Sequence, residues 1–540
     1  MLESYGTSWS QRLQEINTLF DRSEFAQARD ESLRLIQEFA EIPGVQFYCA
    51  GFLIDAGDQL QDIGAIHQGI EILESIRQTP GRDVCLARGA IALADLEVGK
   101  EEAAPQWQFL ENASFQKGKG ILLNLISEKA PTAPVPVWLA AGDALVRVGR
   151  ELEAYYAYEQ ALRMAPGAPL PLGAKANSLR RLSPLLGHSE QSALEEARRS
   201  LAQALASPDL AREGFPSARE HFQSDLSDVE RLLLEHPQRT MPEMEIAPEP
   251  GTVPPYLEQF LVYCRRWRLF LTYHIHDERV LPALGDTVFP STIDGEDVAS
   301  SFPPLAQLFN QIKEDFATAR YLLFRALHPD DLQKSAGLMT RYADLADGSF
   351  CWLDNGLLKN TFSLSYNILD KIAFLANEYF RIHHNPQQVT FKNFWKASLV
   401  RNRKSQIPLT ETTSTIHPGL REISNDAITG LVDMSRDLSS DRFRRLEQLR
   451  HAQTHRSLIL LRHDAETAVR SPGVVSVHRR TLELESVRLL RLVKSAIFSL
   501  AAAIELEERR KLGPGRHVVR QRQVIEQKHG EHADRAYSGM

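Results

Sequence analysis

The sequence has little of what staples small folds, cages metals or crosses membranes. Its 540 residues include four cysteines, Cys49, Cys85, Cys264 and Cys351, widely separated and without a CxxC pair. That spacing suggests neither a disulfide framework nor a zinc cage, and predicts reduced thiols in a cytoplasmic protein. The longest apolar run, AIFSLAAAI near residue 500, falls well short of the roughly 20 residues a helix needs to span a bilayer. The start, MLESYGTSWS, has neither the positive n-region nor the apolar h-region of a secretory signal. No GxGxxG, Walker loop, HExxH or GxSxG occurs, so the signatures of dinucleotide enzymes, P-loop NTPases, zincins and α/β-hydrolases are missing. A net charge of −8 argues against coating nucleic acid with the whole surface, though a local basic patch is compatible with it.

What is present is helical periodicity, over a length that calls for two or three domains. The clearest unit is PVWLAAGDALVRVGRELEAYYAYEQALRMAPG, residues 136–167. Trp138 and Gly142 lie on a first helix, Gly149 breaks the chain, and Ala154, Tyr158 and Ala161 line a second helix that Pro166 closes. This unit resembles a tetratricopeptide (TPR) repeat, with Leu145 in place of the usual aromatic residue of the first helix. Weaker copies precede it. INTLFDRSEFAQARDESLRLIQEF places Phe25 and Ala28 at the start of a second helix, and IALADLEVGKEEAAPQWQFLENA breaks at Gly99 before Ala103 and Ala104. One such unit cannot bury its apolar face alone, so residues 1–235 are expected to form a TPR-like α-solenoid of stacked helix pairs. The resemblance implies a protein or peptide partner in its groove; packing of that groove on the rest of the chain is the alternative.

Residues 236–255, HPQRTMPEMEIAPEPGTVPP, carry six prolines and are expected to be a linker, because proline blocks both helix and ladder. Beyond it the stripes are helical again but do not repeat. Phe309, Ile312, Phe316, Ala319 and Leu323 share one face; Phe362, Tyr366, Leu369, Ala373 and Ala376 another; Val487, Leu490, Val493, Ile497, Leu500 and Ile504 a third. QQVTFKNFW reads as a short extended piece. The chain is therefore expected to be all-α, with a helical domain over 256–511 and a polar, partly disordered tail over 512–540.

The order LFNQIKEDFATARYLLF, YNILDKIAFLANEYF, VTFKNFWK, then LRHAQTH, then a long closing helix resembles the large bacterial HEPN proteins that carry TPR repeats in front. The motif of that superfamily is arginine, four to six residues, histidine, often with a polar residue directly after the arginine. Here it becomes Arg450, His451 and His455. Asparagine more often follows the arginine in this branch; histidine at that place occurs in RNA-guided CRISPR nucleases of the superfamily. The resemblance implies a ribonuclease of the toxin or abortive-infection kind, and a homodimer in which two such helices build one cleft.

The residue types suit that chemistry. Metal-free RNA cleavage uses the 2′-hydroxyl as nucleophile and needs a base, an acid and positive charge on the phosphate. Histidine titrates near neutrality, which makes His455 the candidate acid–base group. Arginine keeps its charge and offers a planar fork to phosphate oxygens, which makes Arg450 the candidate clamp. Five residues on a helix turn about 140°, so these two do not share a narrow face, whereas His451 and His455 do. Between residues 442 and 462 six arginines (442, 444, 445, 450, 456 and 462) face one acid, Glu447. Arg442, Arg444, Arg445 and Arg456 are accordingly candidate RNA contacts, with Lys392, Lys396, Arg401, Arg403 and Lys404 as a second basic stretch. No cofactor or metal is expected: His451 and His455 lack a carboxylate or cysteine at ligand spacing, and YHIHDE (His274, His276, Asp277, Glu278) reads as a polar connection. The other reading is an inactive TPR adaptor whose helical bundle only dimerises or binds RNA.

Overall fold

The structure, a computed structural model, describes residues 8–77, 79–99, 106–128, 132–186, 189–210, 217–235, 255–276, 285–290, 292–293, 298–341, 348–382, 389–395, 416–423, 425–462, 474–511 and 518–519. The described residues of the N-terminal half form the helices α1 (Ser8–Asp21), α2 (Phe25–Glu38), α3 (Pro43–Leu60), α4 (Ile63–Ser75), α5 (Pro80–Val98), α6 (Gln106–Glu111), α7 (Ala113–Glu128), α8 (Val135–Val146), α9 (Glu151–Met164), α10 (Pro169–Leu182), α11 (Glu190–Ala206) and α12 (Ala218–Glu235). Proline opens α3, α5, α8 and α10, where its missing N–H costs nothing and its fixed φ is already helical. The Asp62 carboxylate caps α4 by accepting the Ala65 N–H at 3.1 Å. Neighbours pair in sequence, α3 with α4, α5 with α7, α8 with α9 and α10 with α11, as stacked helix pairs. Gly99 ends α5 at φ 89°, while Ala103 and Ala104 lie outside the described residues.

The clearest unit shows why its residues are what they are. Ala154, Tyr158 and Ala161 are buried, Trp138 is half-buried, and Gly142 lies under the Tyr158 ring. A methyl group at Gly142 would stand 2.3 Å from Tyr158 Cε1. That ring is held by its hydroxyl, which donates to Asp143 Oδ1 at 2.7 Å. Gly142→Ala is therefore expected to destabilise the chain by about 1–3 kcal/mol through overpacking, despite the better helix propensity of alanine. Thermal unfolding of the two proteins side by side checks it.

The C-terminal half contains α13 (Pro255–Trp267), β1 (Thr292–Ile293), α14 (Val298–Leu327), α15 (Asp331–Leu338), α16 (Leu353–Phe380), α17 (Pro418–Glu422), α18 (Asp426–Ser439), α19 (Asp441–His455), β2 (Ser457–Leu461), β3 (Val474–His478), α20 (Arg479–Arg510) and β4 (Val518–Val519). Helices α14, α16 and α20 pack together, and every residue of the three stripes read from the sequence is buried there. The fold is thus all-α, with two small additions. β2 and β3 pair in parallel from Ser457↔Val474 to Leu461↔His478, and β1 pairs antiparallel with β4. Val518–Val519 thereby join the bundle from the stretch read as a polar tail; the rest of 512–540 lies outside the described residues, as do 236–254 of the expected linker. Among the described residues no helix is long and apolar enough to cross a membrane, and all four cysteines are free thiols.

One expectation fails. The stretch around VTFKNFW is not extended: residues 391–395 form a turn. Trp395 Nε1 donates to the Phe391 carbonyl at 2.7 Å, and the rings of Phe391 and Phe394 both pack on Trp395. A spacing of three and four gathers all three rings on one side, which a strand's alternation cannot do.

The two halves share one apolar core that runs from Ala87 on α5 to Ile504 on α20. The α8–α9 turn sits directly on α18. Gly149 has φ 75°, and a Cβ there would lie 1.9 Å from the Asp426 carbonyl oxygen; one on Gly430 would lie 2.6 Å from the Gly149 oxygen. Beside this contact a charge cluster is buried. Lys119, 1% exposed, pairs with Asp433 and, at 3.1 Å, with Asp437. Arg150, 2% exposed, reaches Asp433 at 2.9 Å and Asp437 at 2.5 Å, and binds both oxygens of Glu153. Helices α6, α7 and α9 and the α8–α9 turn therefore pack on the bundle.

Candidate functional site

Helix α19 is placed by its ends. Ser440 alone separates it from α18, and its last residue, His455, leads through Arg456 into β2. Leu446, Leu449 and Ala452, at spacing three, are each 1% exposed and fasten one face to the bundle. β2 then buries Leu458, Leu460 and Leu461, so the helix end cannot swing freely. The sequence signal for these strands was SLILL and VVSVH, two short β-branched or apolar runs bracketing the polar stretch between them.

Arg450 comes off the edge of the buried face. Its Nη2 donates to Asp370 Oδ2 at 2.8 Å, and its Cζ lies 4.9 Å from the centroid of the Tyr366 ring. Tyr366 and Asp370 stand one turn apart on α16, so a single helix face supplies both a π surface and a carboxylate to one guanidinium. Burial pushes the Tyr366 hydroxyl well above its ordinary range, against the pull of Arg450. The other Asp370 oxygen accepts the Phe391 N–H at 2.9 Å, and Lys392 in the same turn pairs with Glu447 at 2.6 Å. The turn misread as a strand thus braces the arginine. About a third of the Arg450 side chain (37%) still faces solvent, and its other N–H groups have no partner among the described residues.

His451 and His455 are both exposed, with ring centroids 5.2 Å apart, as four-residue spacing requires. Neither ring has a hydrogen-bond partner among the described residues. Arg445 and Arg456 are exposed as well, whereas the side chains of Arg442 and Arg444 lie outside the described residues. Of the second basic stretch Lys392 is described and is paired with Glu447; Lys396, Arg401, Arg403 and Lys404 lie outside the described residues. The surface of α19 and of Arg456 directly after it therefore presents Arg445, Arg450, Arg456, His451 and His455, and among the described residues the nearby acids Asp370 and Glu447 are each already paired with a cation. Such a face can hold an anion and offer imidazoles beside it.

Residues 297–507 match the family described as LA2681-like HEPN. This part of the chain is a HEPN domain. The match runs from the start of α14 nearly to the end of α20 and takes in the whole of α19 with its Arg450–His455 spacing. Comparison with curated proteins and with solved structures finds no match. Within the HEPN domain, sequence reading missed Asp370 as a site residue, because its partner Arg450 lies 80 residues away. Tyr366 was read as core, which it is; that it also faces Arg450 needed the fold.

The other cluster raised by the sequence is partly visible. His274 is buried and its ring centroid lies 6.4 Å from that of His276, while Asp277 and Glu278 lie outside the described residues. Among the described residues no three His, Cys, Asp or Glu side chains gather as a metal site.

Proposed function

We propose that the protein is an endoribonuclease that works without a metal, with Arg450 and His455 of the HEPN domain at its centre. The observation that carries the reading is a surface helix on which the motif arginine is held in place by Asp370 and Tyr366 while two imidazoles stand open beside it. In the reaction the 2′-hydroxyl attacks phosphorus and the bond to the 5′ oxygen breaks. One histidine takes the hydroxyl proton, a second group protonates the leaving oxygen, and arginine stabilises the crowded phosphate. The products are a 2′,3′-cyclic phosphate and a 5′-hydroxyl.

One α19 supplies few groups for this, and its exposed face suits a meeting with the same helix of a second copy. A homodimer across α19, with two arginines and two pairs of histidines in one cleft, completes the site, and Arg445 and Arg456 then guide the RNA backbone. The TPR-like array acts as the control element. Its middle helices are engaged by the HEPN domain, so a protein or peptide partner is expected on α1–α4, whose cores form clusters of their own. A toxin or abortive-infection effector in antiviral defence fits these parts. The Arg450–Asp370 pair favours a second reading, in which the arginine is structural and the chain is an adaptor that dimerises or binds RNA.

Incubating total RNA with purified protein in EDTA distinguishes them. Wild type is expected to cut, leaving cyclic phosphate ends, and His455→Ala to be inert while eluting as the same dimer. An intact RNA pool with wild type, even beside lysate from phage-infected cells as a source of trigger, moves the adaptor reading ahead. Equal cutting by both proteins places the site elsewhere.

A further inference from the structure

A cavity of about 860 Å³ lies between α13, the end of α14 and the first turn of α20, and no residue of α19 lines it. Its volume falls within the roughly 300–1,000 Å³ of small-molecule sites. One face of α13 forms the long wall, where Glu258, Val262, Tyr263, Arg266 and Trp267 recur every three or four residues. Leu327 and His328, where α14 ends, and Arg479, Arg480 and Glu483 of α20 face the same space. Arg479 fixes the frame: it donates to Glu483 at 2.9 Å, to Asn355 Oδ1 at 3.1 Å and to the Ala326 carbonyl at 2.6 Å, tying the start of α20 to α16 and α14. α13 lies outside the residues that match the HEPN family, so the family match does not account for this cavity.

Within that frame three donors are unmatched. Tyr263 is 6% exposed and its ring packs on Phe324 and His328, with centroids 5.4 and 5.8 Å away, yet its buried hydroxyl has no hydrogen bond among the described residues. Buried polar groups in a native fold are almost always paired, so an orphan on a cavity wall points to a missing partner. Burial, with Cys264 and Glu483 adding to it, holds that hydroxyl far above its ordinary range, and it remains a donor. Arg266 is exposed beside Trp267, 5.5 Å from the ring centroid, and makes no hydrogen bond or ion pair among the described residues. The third is the start of α20. Its N-cap, His478, makes no side-chain cap bond, its ring nitrogen lying instead 2.9 Å from the Arg462 carbonyl oxygen, and no acid stands in the first turn. The positive end of a 32-residue helix thus meets the cavity without a neutralising cap.

We propose that this cavity binds a small organic carboxylate with an apolar body, its head group held by Arg266 and the Tyr263 hydroxyl opposite the start of α20. Tyr263 and Arg266 stand three residues apart on α13 and are therefore neighbours on one face. Three arginines line the cavity against two glutamates, which leaves one positive charge for a monoanion to cancel. A phosphate monoester, with a charge near −2 at neutral pH, would overshoot it. Carboxylate oxygens accept well from both a hydroxyl and a guanidinium fork. Val262, Trp267 and Leu327 give the rest of the molecule a wall away from water. Because the walls come from α13 and from the HEPN domain, occupancy fastens α13 to that domain. The assignment stands whether or not α19 cuts RNA.

Titration calorimetry and thermal unfolding of the full chain test it, with 4-phenylbutyrate and octanoate as carboxylate probes and 4-phenylbutylamine and phenyl phosphate as controls at fixed ionic strength. A carboxylate probe is expected to bind wild type once per chain and raise its melting temperature, with phenyl phosphate weaker and the amine silent. Arg266→Gln and Tyr263→Phe should each weaken binding roughly ten- to a hundredfold, the loss of a charged hydrogen bond. Arg199→Gln, on the exposed face of α11, should bind as wild type does. Without ligand Tyr263→Phe should melt no lower than wild type, since the hydroxyl it removes has no partner to lose. A lower melting temperature there would show that the hydroxyl serves the fold and would overturn the proposal. Unchanged binding in both variants does the same, as does the absence of binding by either carboxylate at millimolar concentration. Equal binding of the amine, or tighter binding of phenyl phosphate, overturns the choice of a monoanion and the proposal with it.

Discussion

Replacing Asp433 with alanine is expected to destabilise the protein by roughly 3–5 kcal/mol, the largest effect of any single substitution considered for the junction of its halves. Asp433 is fully buried on α18 and faces two buried cations that arrive from the array, Lys119 on α7 and Arg150 at the start of α9. Removing it leaves Lys119 with Asp437 at 3.1 Å, and Arg150 with Asp437 and Glu153, so two positive charges share one deeply buried carboxylate. An ion whose partner is deleted cannot recover its hydration without opening the interface. Chemical unfolding followed by tryptophan fluorescence, with hydrogen exchange on α7 and α18, reads both the size of the loss and its place. The loss belongs to the broken pairing and not to a net gain from the intact cluster. Replacing Lys119, Arg150, Asp433 and Asp437 together by methionine and leucine should therefore recover most of the stability. A cost below about 1 kcal/mol for Asp433→Ala, the range of a solvated surface pair, would mean that water reaches the cluster.

That junction also marks where sequence reading stops. The three apolar stripes of the HEPN domain were legible because a helix repeats its contacts every three or four residues, and burial at positions such as Phe316, Leu369 and Val493 follows from local pattern alone. Gly149 was legible as a break between two helices. Its closest neighbour, the Asp426 carbonyl, lies 277 residues further on, and no local rule brings the two together. Lys119 and Asp433 sit on helices 314 residues apart, and no motif marks either of them; only the fold shows them buried against each other. The turn at 391–395 misled for a related reason. Phe391, Phe394 and Trp395 favour strands by composition, yet their spacing is that of one helical turn, and the core beneath them took all three rings. At the site, Arg450, His451 and His455 were named from one motif, while the groups that hold Arg450 belong to α16.

Asp370 and Arg450 supply the prediction that bears most on catalysis. On the ribonuclease reading, Arg450→Ala should lower the rate of RNA cleavage by about 10²–10³, the usual cost of removing a donor aimed at developing charge. His455→Ala should cost about 10²–10⁴, the range for a general acid or base. Neither should unfold the chain: His455 is exposed, and a half-exposed pair such as Arg450–Asp370 stabilises a fold by about 0–1 kcal/mol. Asp370→Ala is different in kind, because Asp370 acts through Arg450. It should slow cleavage roughly tenfold by loosening the guanidinium, and the double variant should be no slower than Arg450→Ala alone, since effects that pass through one group do not add. Single-turnover cleavage of a labelled RNA by the four proteins measures this. Full additivity would place Asp370 in a separate role, such as holding the turn at Phe391. A faster Asp370→Ala enzyme would mean that the carboxylate competes with RNA for the arginine, and the pair would then be a brake on the site instead of its support.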